Sequence, residues 1–171
     1  MGRGEVAPIR YNLPSVIASN TVIFVEGEKH CDTINSWELD GISATTWDNG
    51  ADSKFPSAMV PYLQNKHVVI LPDNDQPGAR YAAEIAEALR QVAASIKVVE
   101  LPGLPHKGDV LDWINSGGDV ENLLLLFKEA HEWSPKQLNY LVPAAELQAM
   151  DIKIEYVIDQ FLPEKFINVL Y

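Results

Sequence analysis

From Thr21 onward the chain alternates short apolar runs with stretches of helical periodicity. TVIFVE (21–26), GISATTW (41–47), HVVILP (67–72) and IKVVELP (96–102) are rich in β-branched residues and bounded by turn-forming ones, which predicts four strands. The segment EKHCDTINSWEL (28–39) reads as a helix after the first, and a helical segment around 57–64 follows the second. In PGARYAAEIAEALRQVAAS (77–95) the positions Tyr81, Ile85, Ala88, Leu89 and Val92 share one helical face, and Pro77 suits a first turn. Two further helices are predicted near 110–115 and 120–131. Strands separated by helices imply an α/β fold, with about four mainly parallel strands and helices on both faces. The unbroken apolar VVIL fits a strand covered on both sides.

Beyond HEWSPKQ the pattern weakens, and 139–171 reads as a C-terminal tail. It closes on PEKFINVLY, an apolar run with no turn behind it, which reads as an interrupted strand of a longer protein. The expected division is a lead-in over 1–20, one domain over 21–133, and a linker with the start of another domain over 134–171.

Composition narrows the chemistry. The 171 residues are 47% hydrophobic and 22% charged, as in a globular chain able to bury a core. No apolar run approaches the roughly 20 residues that span a bilayer, and MGRGEVAPIRYNLP has no secretory apolar core. The one cysteine, Cys31, forms no internal disulfide, and no Cys/His group has zinc spacing. A cytoplasmic setting without membrane contact is expected. Thirteen Lys/Arg against twenty-four Asp/Glu leave a net charge of −11. Such a surface repels phosphodiesters, so a phosphate substrate requires metal ions or a basic partner.

Carboxylates stand where such a sheet binds ligands. Glu26 ends the first predicted strand, and Asp73 and Asp75 end the third. Ligands of open α/β sheets sit beyond the carboxyl ends of strands, where strand order reverses. On extended chain, residues i and i+2 point the same way, so both aspartates can face one spot. If the two strands are neighbours, three carboxylates converge, and protonation or a cation must relieve them. Oxygen-only donors favour Mg²⁺ first and Mn²⁺ second. Taken alone, Asp-x-Asp before Pro-Gly is equally a turn and a helix cap, with Asp75 capping the helix that Pro77 opens.

VIFVEGEKHCDTI followed by VVILPDNDQPGARYA resembles the TOPRIM domain, the Rossmann-like fold shared by topoisomerases, bacterial-type primases and certain nucleases. GISATTWDNGA matches the glycine-containing strand and turn between those motifs, and KGDVLDWI (107–114) resembles the segment after the fourth strand in primase-type members. YNLPSVIASNTVIFVEGEK is similar to primase-like proteins of phages, plasmids and integrated elements, in which the unit often precedes a RecA-like ATPase. FLPEKFINVLY resembles the strand running into that ATPase's phosphate loop.

The resemblance implies metal-binding and catalytic roles for Glu26, Asp73 and Asp75, with one or two Mg²⁺ or Mn²⁺ ions. Gly27 and Gly78 then serve the tight turns, while Lys29, Arg80 and Lys107 are candidates for phosphate or nucleotide contact. Asp109 and Asp112 are candidate accessory carboxylates, Asp109 equally a helix N-cap. The implied activity is DNA primase or primase-helicase chemistry, a nucleotidyl transfer that starts a primer. DNA template and nucleoside triphosphates would be bound through the full-length protein, and a helicase domain would follow in the same chain. On its own the 171-residue piece is expected to prime weakly or not at all. A metal-dependent nuclease and a non-catalytic docking module for an ATPase remain the alternatives. The four histidines lack ligand spacing and read as surface or packing residues, and Cys31 and the tryptophans read as core.

Overall fold

Four strands, β1 (Thr21–Phe24), β2 (Ile42–Thr45), β3 (His67–Ile70) and β4 (Ser95–Val98), form one parallel sheet in the order β2-β1-β3-β4. A computed structural model describes residues 11–47 and 54–135 in full, and the backbone of 156–158 and 162–163. The helices are α1 (Leu13–Ala18), α2 (Glu28–Asn35), a 3₁₀ helix (Ser57–Leu63), α3 (Gln76–Leu89), α4 (Val110–Asn115) and α5 (Val120–Glu129). Residues 1–135 form one unit and 136–171 another. In the second, β5 (Tyr156–Ile158) pairs antiparallel with β6 (Leu162–Pro163). Most of the terminal apolar run PEKFINVLY lies outside the described residues.

Side-chain alternation along a strand explains why β1 and β3 show no polar face. Val22, Phe24, Val68 and Ile70 enter one core, with Val16 of α1, Met59 and Leu63 of the 3₁₀ helix, and Tyr81, Ile85 and Leu89 of α3. Ile23, Val25, Val69 and Leu71 enter a second, with Cys31 and Ile34 of α2, Trp113 of α4, and Leu123 and Phe127 of α5. The lead-in therefore packs with the sheet through Val16.

Crossover direction decides which helix goes to which face. From β1 the chain steps to β2 on one side, and every later step runs the other way. With one hand for all crossovers, the first connection lies on the opposite face from the next two. That is where α2 sits relative to the 3₁₀ helix and α3.

Two helices end earlier than expected, and the expected helical segment around 57–64 is a 3₁₀ helix. The segment around 57–64 is 3₁₀ rather than α, with Pro61 inside it lacking the N–H an α-helix needs. α3 stops at Leu89, because the chain beyond it bonds the entry to β3: Asn65 N–H donates to Val92 O at 2.8 Å and Ala94 N–H to Lys66 O at 2.9 Å. α2 stops at Asn35, whose amide is used elsewhere. Its Oδ1 accepts from Ala44 N at 2.7 Å and its Nδ2 donates to Ala44 O at 3.0 Å, closing the outer edge of β2. Among the described residues no helix is long and apolar enough to cross a membrane.

Candidate functional site

Strand order reverses between β1 and β3, so the crevice beyond their carboxyl ends is the place where such sheets bind ligands. Glu26 follows β1 there, and Asp73 and Asp75 follow β3. The backbone N–H of Asp73 donates to Glu26 Oε1 at 3.0 Å, binding the two strand ends together. Gly78 fits against this contact: a Cβ there would lie 2.2 Å from Asp73 O and 2.8 Å from Glu26 Oε1. Glycine is needed because backbone and carboxylate already fill the space.

The Asp-x-Asp turn is not an extended tip. β3 ends at Ile70, and Asp75 N–H donates to Asp73 O at 2.8 Å, which folds the chain back within three residues. Asp75 then N-caps α3, its Oδ1 accepting from Gly78 N at 2.8 Å. The capping reading of Asp75 thus holds, and one of its oxygens is committed to the helix.

Asn74, between the aspartates, draws in the 104–109 loop. Its Nδ2 donates to Leu104 O and Pro105 O, both at 2.9 Å. Its backbone bonds Gly108 O at 2.8 Å and Lys107 N at 2.9 Å. Lys107 takes the left-handed conformation, φ 65°. The loop delivers Asp109 as N-cap of α4, its Oδ1 accepting from Leu111 N at 2.7 Å and Asp112 N at 3.0 Å. Asp112 Oδ2 accepts in return from Asp109 N at 3.2 Å, closing a capping box.

Asp73 is where these charges are felt. Burial, and then the carboxylates of Glu26, Asp109, Asp75 and Asp112, push it from 3.8 up to about 7. All four act in the same direction as burial. Lys29, Arg80 and Lys107 are exposed. Among the described residues no three His, Cys, Asp or Glu side chains are arranged to hold a metal ion.

No family model matches the chain, and no curated protein does. A solved structure, the DnaG catalytic core, does match, with a TM-score of 0.51 at 18% identity over 71% of this chain. The chain has a TOPRIM-type α/β fold, with four parallel strands and helices on both faces. The match takes in 38% of the DnaG chain, so this chain spans well under half of that core.

Within the TOPRIM-type frame, three residues at the site escaped sequence reasoning. Asn74 is the unconstrained middle of Asp-x-Asp, and only its bonds to a loop 30 residues away show its use. Tyr81 reads as a core position and is one, yet its hydroxyl donates to Val25 O at 2.6 Å, next to Glu26. His30 lacks any ligand spacing in sequence; its Nε2 lies 3.1 Å from Asp109 Oδ2.

Proposed function

We propose that the chain is the TOPRIM catalytic domain of a DNA primase or primase-helicase of a phage, plasmid or other mobile element. Its reaction would be Mg²⁺-dependent nucleotidyl transfer in primer synthesis. The observation that carries this reading is the meeting of Glu26 and Asp73 at the β1–β3 crevice, with Asp73 raised to about 7 by burial and its acidic neighbours. A half-buried carboxyl under that repulsion is relieved by a proton or a cation. The donors are carboxylate oxygens only, which suits a hard divalent ion. Glu26, Asp73 and the second oxygen of Asp75 would hold one or two such ions, Mg²⁺ or Mn²⁺. Once bound, a divalent ion supplies charge neutralisation for the triphosphate and for the transferring phosphoryl group.

The chain's own residues prepare the site. Gly78 lets α3 approach the Glu26–Asp73 contact without displacing it. The Asp75 cap sets the first turn of α3, and Asn74 brings up the acidic N-terminus of α4. Asp73 can exchange a proton for a cation near neutral pH. Lys29 of α2, Arg80 of α3 and Lys107 of the 104–109 loop, all exposed, are the proposed phosphate contacts. With a net charge of −11, template would have to be held by other domains of a longer protein. A RecA-like helicase domain in that protein and a cytoplasmic location belong to the same proposal.

Titrating Mn²⁺ by calorimetry into wild type and into Asp73→Asn/Asp75→Asn tests the cation centre. The wild type is expected to release binding heat and the double variant none; equal heats overturn the ligand assignment. Incubating the parent protein with labelled single-stranded DNA and nucleoside triphosphates tests the reaction. New short oligonucleotides support priming, and shortening of the label identifies a nuclease instead. A second reading, a docking module without catalysis, is favoured by the commitment of Asp75 Oδ1 and Asp109 to helix caps. It predicts a parent protein that unwinds DNA and never primes.

A further inference from the structure

His30 is the third residue of α2, and it reaches across the carboxyl edge to Asp109 at the start of α4. Its Nε2 lies 3.1 Å from Asp109 Oδ2, the two side chains being 15% and 28% exposed. The other ring nitrogen, Nδ1, is buried and has no hydrogen-bond partner. Packing alone gives no reason for an imidazole here, since an apolar side chain would avoid the cost of an enclosed, unpaired nitrogen. The contact with Asp109 supplies a reason. Oδ1 of Asp109 is taken by two backbone N–H groups, and Oδ2 faces His30. Without a donor on that oxygen, repulsion from Asp73 and Asp112 would push the carboxylate outward, and the Lys107–Asp109 turn would follow it.

We infer that His30 is a positioning residue: its Nε2–H holds Asp109, and so latches the first turn of α4 to the first turn of α2 beside Asp73. The latch spans the two walls of the acidic site, because α2 continues directly from Glu26–Gly27 and α4 follows the loop that Asn74 anchors. His30 touches neither substrate nor cation; it acts through Asp109. The effect on cation affinity rests on the proposed metal reading. The latch itself does not.

The test uses the full 171-residue chain and Mn²⁺ as probe, in wild type, His30→Ala, His30→Gln, Asp109→Ala and His30→Ala/Asp109→Ala. Outer-shell groups that orient a carboxylate are typically worth 10–100-fold in metal affinity, so His30→Ala is expected to weaken Mn²⁺ binding about tenfold. Gln carries an amide N–H in the position of Nε2 and is expected to restore most of that loss, which a purely structural filler would not do. The double variant should bind no more weakly than Asp109→Ala, since both changes break one contact. Wild-type affinity in His30→Ala, no rescue by Gln, or losses that multiply would each overturn the positioning role. If wild type itself binds no Mn²⁺, the cation reading fails, and imidazole NMR still judges the latch. A slowly exchanging Nε2–H proton of His30, present in wild type and lost in Asp109→Ala, supports it; its absence from wild type overturns it.

Discussion

The hydroxyl of Tyr81 donates to the carbonyl of Val25 at 2.6 Å, one residue before Glu26. The same ring stacks on Trp47, with centroids 4.5 Å apart and 10° between planes. α3 is thus bonded to the end of β1 from inside the core, and burial holds the phenol well above its usual pKa, so that it remains a donor. Tyr81→Phe keeps the stacking and strands the buried Val25 carbonyl. The expected cost is about 1–3 kcal/mol, read as a lower urea midpoint at unchanged slope. An unchanged midpoint would mean the bond contributes nothing.

Gly78→Ala should be far worse than an ordinary helix substitution. Alanine normally favours a helix over glycine, but here the added carbon meets Asp73 O at 2.2 Å, Glu26 Oε1 at 2.8 Å and Asp73 N at 2.9 Å. Two of those three atoms are backbone and cannot rotate away. A loss of about 1–3 kcal/mol or more follows from overpacking, with weakened Mn²⁺ binding alongside. A stabilised variant in thermal unfolding would show that the two turns are further apart.

Asp75 is predicted to separate into two roles. Asp75→Ala removes the cap on Gly78 N and should cost about 1 kcal/mol. Asp75→Ser keeps a capping oxygen and should recover the stability, while leaving Mn²⁺ binding as weak as in the alanine variant. Recovery of both by serine would reduce Asp75 to a cap.

Asp73 gives the chain a pH dependence of known sign. Its folded pKa is about 7 against 3.8 in the unfolded reference. Below 3.8 the carboxyl is neutral in both states. Between about pH 4 and 7 the folded chain keeps a proton that the unfolded chain has lost, so the stability this group contributes falls as pH rises through that window. Asp73→Asn removes the effect. Urea unfolding at pH 3 should find the variant and wild type alike, and at pH 8 the variant more stable by roughly 1–2 kcal/mol. The full 1.36 kcal/mol per pKa unit is discounted because the carboxyl is half-exposed and screened. A difference that does not vary with pH would remove Asp73 as its source.

Periodicity and residue type are local properties, and what depends on them was legible in the chain. The four strands, the helices near 110–115 and 120–131 (the latter observed over 120–129), and the placing of Glu26, Asp73 and Asp75 after strand ends all follow from runs of a few residues. Where the reading missed, a distant partner decided. α3 ends early because Val92 and Ala94 bond the residues before β3, and α2 ends at Asn35, whose side-chain amide bonds Ala44.

By itself the sequence determined an α/β chain with acidic groups at the ends of β1 and β3, since alternation, apolar length and carboxylate position are written residue by residue. Only the tertiary structure decided that β1 and β3 are neighbours, that Asp75 spends one oxygen on Gly78, and that Asn74, Tyr81 and His30 brace the crevice. Those contacts join residues up to 79 positions apart, as His30 and Asp109 are. No local pattern encodes a distance between two segments that the sheet must first bring side by side.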